Sequence, residues 1–110
     1  MIRILIAEDE ERISRFIEKG LRAAGYAPTV VADGVTAVDY ASSGEFDLLL
    51  LDIGLPRLDG YAVLAALRRG QVGIPVIFLN ILLFSPPPPN IPELESCRII
   101  CLISTYCLMS

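Results

Sequence analysis

Four short apolar runs punctuate the first eighty residues, and between them apolar positions recur at helical spacing. The runs are residues 2–7, 28–32, 46–51 and 75–79, the third finishing in Asp52. Each is brief and largely continuous in its hydrophobicity, which is how a strand covered on both faces reads. After the first run, Glu8-Asp9-Glu10-Glu11 ends the strand and opens a helix, where acidic side chains complement the helix dipole. Ile13, Phe16, Ile17, Leu21 and Ala24 then follow the helical period, and Gly25 is a fitting stop. Asp33 is the predicted N-cap of a second helix carrying Val35, Val38 and Ala41, with Gly44 at its end. Asp59 is the predicted cap of a third, with Leu64 and Leu67 on one face and Gly70 beyond.

The resulting order, βαβαβαβ, predicts an α/β fold: a doubly wound parallel sheet covered by helices on both faces, with right-handed crossovers. Sheets of this kind place their functional groups at the carboxyl ends of the strands. Glu8 and Asp9 follow the first strand and Asp52 ends the third. Residues more than forty positions apart are therefore expected on one edge.

Composition adds several exclusions. A length of 110 residues is that of one domain. The net charge of −4, without any basic run, argues against nucleic-acid binding through the phosphate backbone. The chain has no histidine, which removes Ser-His-Asp and Cys-His catalysis and most zinc sites. The opening residues read as a strand followed at once by acids, so no signal peptide is expected. No apolar stretch reaches the length of a membrane span, and the expected location is the cytoplasm.

Composition also divides the chain. All ten alanines and all eight glycines precede Asn80, whereas all three cysteines and five of the eight prolines follow it. Residues 1–80 therefore read as a domain core. Residues 81–110 read as an atypical tail, a Pro-rich loop and then an apolar segment containing Cys97, Cys101 and Cys107. Lacking a histidine, a fourth thiolate or CxxC spacing, these cysteines read as reduced free thiols rather than a zinc site. The four consecutive prolines at 86–89 read as polyproline or loop.

Three carboxylates converging at strand ends repel one another unless a cation joins them or one is protonated. Mg²⁺ suits such a set, because it takes oxygen ligands and is held by one or two carboxylates together with phosphate oxygens. A carboxylate beside bound metal can attack phosphorus to form an aspartyl phosphate, a reaction that needs little beyond alignment and charge neutralisation. The remaining acids have plainer readings. Glu10 and Glu11, like Arg12 and Arg15, read as solvated helix surface, Asp33 and Asp59 as caps, and Asp47 as a solvent-facing residue at a strand start.

The stretch Ile4-Leu5-Ile6-Ala7-Glu8-Asp9-Glu10 resembles the response-regulator receiver domain of two-component phosphorelays. So do Leu48-Leu49-Leu50-Leu51-Asp52-Ile53-Gly54-Leu55-Pro56 with the following Asp59-Gly60, and Gly73-Ile74-Pro75-Val76-Ile77-Phe78-Leu79 as its fourth strand. The resemblance covers about residues 1–79 and is strongest to receivers of winged-helix transcriptional regulators. It implies a flavodoxin-like fold, Asp52 as phosphoacceptor, and Mg²⁺ held by Glu8, Asp9, Asp52 and the backbone carbonyl of Gly54. It also implies a sensor histidine kinase as phosphoryl donor, a signalling role rather than an enzymatic one, no membrane partner and no direct nucleic-acid binding by this chain.

Two departures from the family pattern stand out. Asn80 occupies the position where the family carries Thr or Ser to hold a phosphoryl oxygen. The family's lysine at the end of the fifth strand has no counterpart, the single lysine being Lys19 in the first helix. The fifth strand and last helices, which carry dimerisation in this subclass, are not recognisable, so homodimerisation is left open. The expectation is an incomplete receiver, truncated or frameshifted after about residue 79, with no DNA-binding domain following and with impaired output switching. The alternative is a non-functional receiver fragment or interaction module with a non-native tail. An aspartate-nucleophile phosphatase would also place Asp after an apolar strand, but it needs a second Asp two residues on, where this chain has Gly54.

Overall fold

The computed structural model describes residues 1–79. Along them run β1 (Arg3–Ala7), α1 (Glu11–Ala23), β2 (Ala27–Val31), α2 (Gly34–Ala41), β3 (Leu48–Asp52), α3 (Gly60–Arg69) and β4 (Val76–Leu79). The expectations attached to Asn80, to the three cysteines and to the proline run lie outside the described residues. So do the proposed tail and the position of a fifth strand.

All strand pairs are parallel, and the order is β2-β1-β3-β4. The chain leaves β1 for β2 on one side and returns to β3 on the other. The crevice between the carboxyl ends of β1 and β3 is thus the switch point of a doubly wound, flavodoxin-like sheet. Register sets which residues meet there: Ile6 pairs with Leu50 and Ala7 with Leu51, so the next positions, Glu8 and Asp52, stand side by side.

The alternation of side chains along each strand divides the core into two layers. Leu5, Ala7, Leu49, Leu51 and Val76 pack against α2 and α3 through Ala37, Ala41, Val63 and Leu67. Ile4, Ile6, Leu48, Leu50 and Ile77 pack against α1 through Ile17 and Leu21. Both faces of β1 and β3 are therefore dry, which is why these strands are apolar without alternation. Burying each such Leu or Ile is worth about 1.5–3 kcal/mol, so the sheet centre gives the strand ends a well-packed support.

Helix ends follow local chemistry. α1 closes with a Schellman arrangement: Tyr26 N–H donates to the Leu21 carbonyl, Gly25 N–H donates to the Arg22 carbonyl, and Gly25 takes φ +91°. Asp33 caps α2, its carboxylate accepting from Thr36 N at 2.8 Å, and Asp59 caps α3 by accepting from Ala62 N at 2.9 Å. Glu11 and Arg15 form an exposed i,i+4 pair, which fits the solvated-surface reading of that face.

Some boundaries differ from expectation. Glu8 and Asp9 lie in the β1–α1 loop rather than in the helix, because Glu8 N–H still donates to the Val31 carbonyl and prolongs the strand pairing. α2 stops at Ala41, three residues before Gly44, on a turn in which Ser43 Oγ and N–H both donate to the Tyr40 carbonyl. After α3 the left-handed residue is Gln71, at φ +59°, and not Gly70. β3 begins at Leu48, since Phe46 is drawn into a ring contact with Tyr40 and lies beneath the Arg3 guanidinium. Asp47 is exposed as expected, but its carboxylate also accepts from Arg3 N at 2.8 Å, tying the start of β3 to β1.

Candidate functional site

Each acid of the site owes its position to a strand end. Asp52 is the last residue of β3, 4% exposed, and follows Leu50 onto the α1 face. Glu8 follows β1 and is 1% exposed, while Asp9 beside it is exposed. One carboxylate oxygen from each of the three lies within 4.8 Å of the others. Among the described residues this is the group of side chains suited to holding a metal ion.

The two oxygens of Glu8 differ in a way that matters. Oε1 accepts a 2.9 Å hydrogen bond from Glu10 N, which bends the chain into α1 and fixes the carboxylate. Oε2 is buried and has no hydrogen-bond partner. A buried carboxylate oxygen without a partner is costly, and the cost falls only if a proton or a cation satisfies it. Burial pushes the Glu8 carboxyl up to about pKa 7; the Glu10 N–H opposes the rise, and the negative charges of Asp52 and Asp9 add to it. Divalent charge at the centre of the three acids would reverse that balance. The set is all oxygen, partly buried and open to solvent on the Asp9 side, so the residues present fit Mg²⁺, which keeps several of its waters.

The β3–α3 loop forms the adjacent wall. Gly60 N–H donates to the Ile53 carbonyl at 2.8 Å. A Cβ on Gly60 would come within 2.5 Å of the Asp52 carbonyl oxygen and 2.8 Å of Ile53 Cα. The absence of a side chain therefore lets the α3 N-terminus press directly on the strand end that carries Asp52. Gly54, two residues past Asp52, is exposed, and a Cβ there would meet nothing within 4 Å.

Of the sequence-predicted site residues, the structure brings Glu8, Asp9 and Asp52 together, with Gly54 two residues past Asp52; Asn80 lies outside the described residues. Sequence reasoning missed the contribution of α2. Gly34 N–H donates to the Pro56 carbonyl at 3.2 Å, and the Arg57 guanidinium stands 3.8 Å from the Asp33 carboxylate. The one available signal was a glycine in the first helical position behind a capping Asp, an expensive residue in a helix unless something packs against it.

The comparisons with known proteins agree with this fold. Residues 4–81 match the family model of the response regulator receiver domain. The chain is 46% identical over 79 residues to the transcriptional activator protein IrlR of Burkholderia pseudomallei, covering 72% of this chain and 34% of IrlR. It is 42% identical over 80 residues to the transcriptional regulatory protein PcoR of Escherichia coli, covering 73% of this chain and 35% of PcoR. The chain thus spans about a third of the length of these curated relatives. Among solved structures, it is similar to the receiver domain of the sensor histidine kinase PA1611 from Pseudomonas aeruginosa PAO1. The TM-score is 0.72 at 28% identity, covering 94% of this chain and 98% of that one. That structure has a magnesium ion coordinated in its active-site cleft. The receiver domain of the Francisella response regulator 1452 shares the fold, with a TM-score of 0.71 at 24% identity over 96% of this chain and 99% of that one. With a doubly wound sheet, an acid at the end of β3 beside two more after β1, and a family match over most of its length, the chain belongs to the response regulator receiver domain family.

Proposed function

We propose that this chain is a phosphoacceptor receiver in which Asp52 takes a phosphoryl group from a sensor histidine kinase, with Mg²⁺ held by Asp9, Asp52, Glu8 and the Gly54 carbonyl. The observation that supports this reading best is the buried, unpartnered Oε2 of Glu8 beside Asp52 in a cluster of three carboxylates. The Mg²⁺ seen in the PA1611 receiver lends support from a related protein. Bound there, Mg²⁺ would supply positive charge to offset the carboxylates and the incoming phosphoryl oxygens.

The chain's own part is attack and alignment. A carboxylate oxygen of Asp52 forms the new bond to phosphorus, the P–N bond of the kinase phosphohistidine breaks, and its electron pair stays on the imidazole nitrogen. Glu8 is positioned by Glu10 N and contributes negative charge rather than attack. A cytoplasmic setting suits this exchange; among the described residues no helix is long and apolar enough to cross a membrane. The curated relatives are named as transcriptional regulators. A receiver of this kind would serve an output of that class, through parts beyond the matched third.

Output switching is impaired in this reading. Asn80 replaces the hydroxyl, and the chain's single lysine, Lys19, lies in α1. The same facts, with the change of composition at residue 80, favour a second reading, that of a receiver fragment or interaction module with a non-native tail that does not signal. Incubation with acetyl phosphate and Mg²⁺, followed by intact-mass measurement, separates the two. The first reading expects one phosphoryl adduct that chelation of Mg²⁺ prevents and that Asp52→Asn abolishes. No adduct, or an adduct that survives in Asp52→Asn, would leave the second.

A further inference from the structure

We propose that Gly34, at the first position of α2, is a positioning residue for the metal site: it lets α2 press against the β3–α3 loop and so fixes where the Gly54 carbonyl stands. The inference rests on the reading of Gly54 as a metal ligand and adds to it a residue from a different element.

The contact is a backbone-to-backbone one. A Cβ on Gly34 would lie 2.7 Å from both the carbonyl carbon and the Cβ of Leu58, and closer still to the Leu58 carbonyl oxygen. Two of those atoms are main chain, so no rotamer change relieves the overlap; either α2 or the loop must move. α2 is the stiffer partner, because Ala37 and Ala41 are buried against the sheet and Asp33 caps its first turn. The loop is held by the buried Leu55 side chain, by Leu58 packed on the same core, and by a few local hydrogen bonds. Gly34 N–H and Leu58 N–H both donate to the Pro56 carbonyl, at 3.2 and 2.8 Å. The second bond closes a γ-turn around Arg57, whose φ is +69°, a conformation that costs free energy for a side-chain-bearing residue. Such a turn persists only where its surroundings over-determine it, and here the surroundings are Gly34 and the Asp33 carboxylate facing Arg57.

Gly54 sits between two anchored points of this loop. Ile53 is tied to α3 through Gly60 N–H, and Pro56 is tied to α2 through Gly34 N–H. Between Gly54 and Pro56 the Leu55 side chain is buried in the core, so displacing the second anchor reaches the Gly54 carbonyl by turning the main chain about that side chain. Asp52 is unaffected, since it belongs to the buried strand. The device is thus selective: it sets the backbone ligand and leaves the carboxylates alone.

The test compares Gly34→Ala with Gly44→Ala in the full chain. Gly44 follows α2 at the opposite end with φ +79° and open space around it, so its substitution strains the backbone without touching the loop. Three quantities are read: melting temperature, the amide chemical shifts of Ile53, Gly54 and Leu58 without metal, and Mg²⁺ affinity. Gly34→Ala is expected to shift those amides and weaken Mg²⁺ by about tenfold or more, the usual scale for groups that orient metal ligands. Gly44→Ala is expected to lower melting alone. Unmoved amides and an unchanged Mg²⁺ affinity in folded Gly34→Ala would overturn the proposal. If Gly34→Ala does not fold, Arg57→Val, whose branched side chain disfavours the positive φ of that turn, opens it with α2 intact: faster hydrogen exchange at Gly54 with weaker Mg²⁺ supports the proposal, and no change in either overturns it. Wild-type protein that binds no Mg²⁺ defeats the metal reading itself, and the metal-free amide shifts then decide whether Gly34 positions the loop.

Discussion

Replacing Glu8 with Gln should make the metal-free protein more stable at pH 8, although it removes a residue from the site. In the folded chain the Glu8 carboxyl titrates at about 7, against 4.5 when unperturbed. Between those values the folded protein holds a proton that the unfolded chain has released. Stability contributed by the protonated form is therefore complete below about pH 4.5 and is lost as pH rises towards 7. The rise corresponds to about 3 kcal/mol. The cluster opens to solvent beside Asp9, and screening there reduces the effect to about 2 kcal/mol. Gln keeps the acceptor for Glu10 N, carries no charge, and offers Asp52 an amide donor in place of a repelling oxygen. Thermal unfolding at pH 8 in chelator should show Glu8→Gln melting about 10 °C above wild type. The two should converge near pH 4.5. Saturating Mg²⁺ should narrow the gap from the wild-type side, because the ion binds the folded acids and not the unfolded chain. Equal melting temperatures at pH 8 without metal, or a gap that does not close at low pH, would show that Glu8 is not the strained acid described above.

Further outcomes follow from the loop and the helix ends. Gly54→Ala should leave Mg²⁺ affinity unchanged in an isothermal titration, since the proposed ligand is a backbone carbonyl, φ is not positive and a Cβ meets nothing within 4 Å. Gly60→Ala should cost about 2 kcal/mol or more in denaturant unfolding, because its Cβ would strike the main chain of Asp52 and Ile53. Gln71→Gly should stabilise by roughly 0.5 kcal/mol, the relief of a left-handed side-chain residue offset in part by the greater freedom of unfolded glycine; a lower denaturation midpoint would contradict it.

Much of this molecule was determined by local sequence. β1 and β3 are apolar on both faces, and only a sheet sandwiched between helices buries such strands, so the doubly wound class followed from the runs themselves. Asp33 and Asp59 act within three residues of their own positions, and Gly25 within its own turn, so they were legible as caps and a stop. Glu8, Asp9 and Asp52 could be expected on one edge because parallel topology puts every strand's carboxyl end on the same side. What sequence could not supply is whatever depends on distance across the sheet. That Glu8 is buried with one oxygen unpartnered, and so resists ionisation, comes from the β1–β3 register and from the packing of α1. That Gly34 seats the Pro56–Leu58 turn, more than twenty residues away, comes from the start of α2 meeting the β3–α3 loop. Local patterns report the bonds a residue makes with its chain neighbours. Desolvation and steric contact depend on every atom that packs nearby, and only the tertiary structure decides which atoms those are.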